Sequence, residues 1–158
     1  MKSKVKYSTF SWVLTLAIAV GLIVGLIASW GEPEAFYPIL AIVLLLLVPS
    51  LFFAPVSLSA DNNAIHIHSP FKIHSIPMKE VVNVERYRPL PGTIRTCASG
   101  GFMGYWGTFR DSVSKNYTGF WGDKDDCFMI TLTDGKKYLL GCKNPDAMLT
   151  YIRSQITH

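Results

Sequence analysis

Charge is what the first third of the chain lacks. Tyr7 to Gly31 holds no Asp, Glu, Lys or Arg, and neither does Ala35 to Ala60. Over all 158 residues 16% are charged, against about a quarter in an ordinary soluble domain. With 49% hydrophobic residues, this excludes intrinsic disorder for the bulk of the chain, and it excludes a wholly soluble protein. Cysteine is scarce as well. Cys97, Cys127 and Cys142 are an odd number at irregular spacing. That rules out a disulfide framework and a CxxC metal knuckle, and fits reduced, buried thiols in a cytosolic domain. A strong charge of one sign is also missing. The net charge is +4, and Lys2, Lys4 and Lys6 supply three of those positives, which is too weak a balance for a nucleic-acid partner.

What is present begins with two apolar segments, 10–30 and 35–53, which read as a transmembrane helical hairpin. Trp12 and Trp30 lie near the ends of the first, roughly 27 Å apart at helical rise, close to the hydrocarbon thickness. Gly31-Glu32-Pro33-Glu34 joins the segments and forces them antiparallel. The N-terminal flank, 1–9, carries the lysines and the loop carries none, so both termini are expected in the cytoplasm of a bacterial cell, at the inner membrane. A cleaved secretion signal is the competing reading. The apolar run is longer than a usual signal core, and no clean A-x-A site precedes the loop. Ala17, Gly21, Gly25 and Ser29 recur every fourth residue, a small-residue stripe expected to pack on the second helix or, alternatively, on a second copy. Pro49 is expected to kink or end the second helix.

Residues 55–158 read as strands followed by one helix. Val56–Ser59, Ala64–His68, Phe71–Ile76 and Val81–Tyr87 alternate apolar and polar residues. Pro89-Leu90-Pro91-Gly92 is a loop, and a glycine-aromatic stretch follows it. Tyr117–Trp121, Cys127–Leu132 and Lys137–Gly141 complete the strands, the last two joined at Asp134-Gly135, a strong hairpin signal. Asn144, Pro145 and Asp146 start the closing helix, with Asn144 as N-cap. Met148, Leu149 and Ile152 form its apolar face.

Six or seven antiparallel strands closed by a C-terminal helix, after two N-terminal spans, resemble the membrane-anchored bacterial PH-like (pleckstrin-homology-like) families. The residues that carry the resemblance are Arg95 to Arg110 with Gly100-Gly101-Phe102-Met103-Gly104-Tyr105-Trp106-Gly107, the Thr133–Lys137 hairpin and the Asn144–Ala147 helix start. The resemblance implies an α+β chain: a transmembrane hairpin (10–54), then a PH-like antiparallel β-barrel or sandwich with one C-terminal helix (55–158). It implies a non-catalytic binding or scaffolding role, with no cofactor.

Three sets of candidate residues follow. Phe102, Tyr105, Trp106 and Phe109 interleave with Gly101, Gly104 and Gly107. No Lys-Ser/Thr follows these glycines, so they are no phosphate loop. Aromatics packed on a twisted strand pair are the plain reading, and an exposed loop that grips a protein partner is the functional one. Lys72, Lys79, Arg86 and Arg88 are candidates for contact with an anionic membrane surface. His66 and His68 share a strand face, and His74 falls on a neighbouring strand. A metal-dependent enzyme using these three histidines is a further alternative, although their spacing matches no named site and a polar sheet face explains them. Asp123, Asp125 and Asp126 form a solvated turn too short for an EF-hand. Ser99 lies in no G-x-S-x-G motif. Asn116-Tyr117-Thr118 is a glycosylation pattern that a cytoplasmic domain leaves idle. The expected partners are the lipid bilayer and either a protein partner or a second copy of the chain.

Overall fold

The structure is a computed structural model that describes residues 1–157. It opens with strand β1 (Lys2–Lys4), followed by α1 (Thr9–Ala28) and α2 (Pro33–Phe53). Both helices are long and apolar enough to cross a membrane, with mean hydropathy 2.5 and only 6% of each apolar window buried in the protein. Ser8 caps α1 by accepting the Ser11 N–H at 3.2 Å. Pro33 takes the first turn of α2, where the missing N–H is no loss. Gly31 has φ +94 in the turn between the helices, a conformation that favours glycine.

The second helix ends at Phe53, as the apolar run predicts, so of the two expectations for Pro49, a kink or an end, ending the helix is the one that fails. The Ala54 N–H donates to Ser50 O at 2.9 Å and the Ser50 hydroxyl to Leu46 O at 2.6 Å, which holds the last turn together. The small-residue stripe is used only in part. Gly25 faces Ile39, which a Cβ at position 25 would approach to 3.7 Å, and the buried Ser29 hydroxyl donates to Gly25 O at 2.8 Å. Ala17 and Gly21 are exposed, and nothing lies within 4 Å of a Cβ built at Gly21. The helices therefore pack near their connecting turn and leave the rest of the stripe uncovered.

The remaining chain forms β2 (Ser57–Ala60), β3 (Ala64–His68), β4 (Ile73–Pro77), β5 (Val81–Arg86), β6 (Ile94–Gly101), β7 (Gly104–Asp111), β8 (Lys115–Trp121), β9 (Cys127–Leu132), β10 (Lys137–Gly141) and α3 (Pro145–Ile156). The strands make two sheets, ordered β1-β2-β3-β4 and β5-β9-β10-β8-β7-β6. The sandwich with a C-terminal helix is as expected, with more strands than the alternation shows. The glycine-aromatic stretch is a strand pair, β6–β7, whose glycines hide the period-2 pattern. One pairing, β8 with β10, is parallel; β9 lies between them in sequence and pairs with the other side of β10.

The largest departure concerns the N-terminal flank. Read as a separate segment, it is instead an edge strand of the domain, with Lys2 opposite Ser59 and Lys4 opposite Ser57. Val5 donates to Val56 O at 2.9 Å, and Lys143 donates to Lys4 O at 2.8 Å, so main chain on both sides ties the segment down. The Val5 side chain enters the core. Its single apolar residue among lysines gave no strand signal, because the partners that satisfy its backbone lie more than 50 residues away.

The core lies between the sheets and is closed by α3. Leu58, Ile65, Ile67 and Ile76 from the first sheet meet Val84, Phe120, Phe128, Ile130 and Leu140 from the second, with Met148, Leu149 and Ile152 of α3 sealing one end. Arg153 of α3 donates to Val84 O through two nitrogens at 3.1 and 2.9 Å, covering the β5 edge. Asn144 takes the N-cap position of α3 but makes no side-chain cap bond; its N–H reaches Ser3 Oγ at 3.4 Å. A second cluster on the outer face of the larger sheet gathers Phe109, Tyr117, Trp121, Cys127, Met129 and Leu139. Cys127 and Cys142 are buried free thiols and Cys97 is an exposed one. Ile152→Ala is expected to lower unfolding stability by about 2–5 kcal/mol. Ile94→Ala, at an exposed edge, should change it by less than about 0.5 kcal/mol, both measured by denaturant titration in detergent.

Candidate functional site

The end of the sandwich next to the helices is where the candidate residues gather, and a set of polar contacts holds it there. The β6–β7 turn, Gly101 to Gly104, lies against the first turns of α1. Ser11 is buried; its hydroxyl donates to Gly101 O at 2.5 Å and accepts the Gly104 N–H at 3.1 Å. Thr15 Oγ1 accepts the Met103 N–H at 2.9 Å and donates back to Ser11 O at 2.7 Å. Two helix hydroxyls thereby satisfy the main chain of a turn that has left water. Met103 sits at φ +50, and Gly104 at φ +87 is packed against Tyr7, so the turn needs a residue without a side chain there. Next to it, Ser8 donates to Gly122 O at 3.0 Å, Tyr7 donates its hydroxyl to Pro55 O, and Lys6 reaches Asp126 at 3.4 Å and Asp123 at 3.7 Å. Burial pushes the Tyr7 hydroxyl up to about 12, so it remains a donor at any ordinary pH.

The aromatic set does not form an exposed loop. Phe102 and Phe109 are buried, the latter 2% exposed inside the outer-face cluster. Strand alternation sends Tyr105 and Trp106 to opposite faces of the sheet. Tyr105 stacks on Trp121, with ring centres 5.4 Å apart and planes 7° apart, and Trp106 stacks on Phe53 at the end of α2 at 5.9 Å. Trp106 is therefore a seam residue between α2 and the sandwich.

Lys72, Lys79, Arg86 and Arg88 are not one patch. Lys72 lies 5.8 Å from the Phe53 ring, at the helix end of the domain. Lys79 is in the short turn after β4, where Met78 donates to Asn63 O at the opposite end. Arg86 pairs with Asp146 at 3.4 Å, and Arg88 with Asp125 at 2.8 Å. A different group of cations is brought together instead. A groove of about 790 Å³ opens between the start of α1, the Pro89–Gly92 loop and the outer face of β6–β8, and Arg88, Arg95 and Lys124 line it with Asp123. Arg95 and Lys124 come from segments 29 positions apart, which no local sequence pattern joins.

The histidines separate by register. His74 pairs with Ile67, so it shares the inner side of the first sheet, while His66 and His68 point from the outer side. His66 is held by Ser75 at 2.8 Å and Asp61 at 3.1 Å, His68 by Ser59 at 2.8 Å, and His74 by Phe52 O at 3.1 Å. Among the described residues no three His, Cys, Asp or Glu side chains are grouped to hold a metal ion. Asp123 Oδ1 accepts the Asp125 N–H at 3.2 Å and caps a short helical turn. Burial pushes the Cys127 and Cys142 thiols up and away from reactivity.

A two-sheet sandwich with a plugging C-terminal helix, docked on its two N-terminal helices through polar side chains, defines the PH-like class. The chain belongs to the bacterial PH domain family, whose model matches residues 56–156. Neither a curated relative nor a solved structure matches it. The matched segment leaves out β1, α1 and α2, so the contacts between the domain and its helices are features of this chain that the family match does not cover.

Ser11→Ala combined with Thr15→Val should leave three main-chain groups of the β6–β7 turn unpaired, at about 1–3 kcal/mol each. Hydrogen exchange should rise by at least tenfold at Met103 and Gly104 and remain unchanged at Ile130. The second expectation concerns pH. Burial, then Lys2 and His66, lower the His68 pKa from 6.5. The unfolded chain therefore takes up a proton first, and stability should fall as pH drops below about 6.5 toward the lower folded value. His68→Gln should flatten that slope in thermal melts between pH 7 and 5.

Proposed function

We propose that this chain is a non-catalytic interaction module held at the cytoplasmic face of a bacterial membrane by its two helices, and that it carries a protein partner by strand addition to β6. The observation behind this reading is the free edge of β6. It is eight residues long, ends its sheet, and exposes Ile94 to 63%. Such an edge offers a row of main-chain donors and acceptors to an extended segment. The other edges suit that role less. Arg153 covers β5, Lys143 bonds to β1, and β4 is shorter and ends in Pro77.

Anchoring by a double crossing is supported by the pairing of β1 with β2, which brings the flanks of the hairpin to one end of it. The lysines of the flank favour the cytoplasmic side. The match to the bacterial PH domain family supports reading residues 56–156 as an interaction module.

The test places a photo-crosslinking side chain at position 94 of the full-length protein in cells, and another at position 113 in the β7–β8 turn. Val113 is comparably exposed, at 68%. A discrete adduct is expected at 94 and not at 113. Thr96 is skipped in the β6–β7 register, so Thr96→Pro is tolerated by the ladder while deforming the edge, and it should remove the adduct. Identical adducts at both positions, an adduct that survives Thr96→Pro, or one made only with a second copy of the chain would defeat the reading.

A further inference from the structure

Strand addition at β6 depends on main-chain bonds, which any extended segment can make. The side chains around that edge are more selective. Resting on the strand-addition reading, we propose that the incoming segment alternates acidic and apolar residues. Its acidic side chains face the outer side of the larger sheet, and its apolar ones face the cleft between the sheets.

Register divides the side chains of β6 between those two faces. Trp106 packs toward the core between the sheets, and Phe109 lies in the outer-face cluster. Cys97 stands opposite Thr108 and Ser99 opposite Trp106, so both point inward. Arg95 stands opposite Phe109 and Ala98 opposite Gly107, so both point outward. Thr96 is skipped in the ladder and absorbs the extra residue between the two sets. A strand added beyond β6, about 4.8 Å away, presents its own side chains alternately to the same two faces.

The outer side calls for acid. Arg95 is exposed and has no carboxylate oxygen within 4 Å among the described residues. Its side chain runs along β6 to Gly100, where a Cβ would collide with the guanidinium. The glycine leaves room for the cation to lie lengthwise beside the free edge, next to the outward positions of an added strand. The other charged residues of β6 and β7 are Arg110 and Asp111. Arg110 is exposed and equally unpaired. Asp111 is buried and already accepts the Tyr87 hydroxyl at 2.7 Å and the Val113 N–H at 3.0 Å. The strand pair thus offers two free cations and no free acid, so an acidic neighbour is attracted and a basic one repelled.

The inner side calls for apolar bulk. A cleft of about 680 Å³ lies between the sheets, reaching from Phe53 to Cys97, with Trp106, Phe120 and Tyr138 of the larger sheet and Ile73 of β4 along it. From β6 only the small Cys97 and Ser99 point that way, followed by the exposed Ile94 at the strand's start. A branched or aromatic side chain entering beside Cys97 therefore fills room that β6 leaves empty, and its burial stabilises the added strand.

The test adds fluorescently labelled peptides of eight residues, the length of β6, to the full-length protein in detergent. One alternates glutamate with valine, one alternates lysine with valine, and one holds its glutamates and valines in separate blocks. Binding is read by anisotropy and by the rate of alkylation at Cys97, the exposed thiol beside two buried ones. The alternating glutamate peptide should bind about tenfold more tightly than either of the others and slow the alkylation. Arg95→Gln with Arg110→Gln should bring the two alternating peptides to equal affinity. Lys79→Gln, at the far end of the domain, should leave the preference unchanged, and Thr96→Pro should abolish binding. Equal binding of the acidic and basic alternating peptides, both lost in Thr96→Pro, overturns the assigned chemistry and leaves strand addition standing. Equal binding of the block peptide overturns the two-faced segment. Binding that survives Thr96→Pro lies away from β6 and overturns the site. No binding by any peptide while the adduct at position 94 forms in cells overturns the chemistry alone, whereas absence of that adduct overturns strand addition itself.

Discussion

Strand β1 pairs with β2 across the base of the helical hairpin, and most of the arrangement depends on that pairing. Lys2–Lys4 precede α1 and Ser57–Ala60 follow α2, so both strands of the hairpin enter one sheet. A helix joined to a domain at one end can swing about its linker. A hairpin whose two ends are hydrogen-bonded neighbours cannot do so without breaking sheet bonds. The Val5 side chain in the core and the Lys143 N–H on Lys4 O tie the strand to the rest of the sandwich.

With the hairpin so placed, the β6–β7 turn meets the start of α1, and the chemistry of that contact follows from burial. Main-chain groups removed from water need partners, and Ser11 and Thr15 supply them from inside an otherwise apolar helix. Glycines at 101, 104 and 122 let the backbones approach; a Cβ at Gly122 would come 2.3 Å from Lys6 O. The glycine-aromatic stretch is in this sense a docking element. Its aromatics fill the two faces of the sheet, Trp106 toward α2 and Tyr105 toward the groove beside α1. The same seams leave β6 as a free edge, and they set the cations of the groove at the depth where α1 begins.

Much of the fold was legible because its signals are local. Uncharged runs of 20 residues, period-2 alternation in Ala64–His68, the Asp134-Gly135 turn and the Pro145 helix start each act through neighbours in sequence. The β6–β7 pair was legible as a twisted strand pair with packed aromatics, but not its bounds or register, because glycine erases alternation. The candidate site was less legible still. His66, His68 and His74 looked like a set on paper, but the β3–β4 register puts His74 opposite Ile67, on the other side of the sheet. Lys72, Lys79, Arg86 and Arg88 divide between two ends of the domain and two ion pairs. Arg95 and Lys124, which do converge, stand in unrelated segments.

The sequence by itself determined the class of the chain: two apolar helices, a sheet-rich domain and a closing helix. Those properties depend on composition and short-range periodicity, which act before any distant contact forms. Only the tertiary structure decided that the lysine-bearing N-terminus is a strand, that Phe102 and Phe109 are buried, and that Arg95, Lys124 and α1 share a groove. Each of these depends on strand register or on the approach of segments far apart in the chain. A one-residue change of register reverses the face of every side chain, so no local pattern encodes such neighbours.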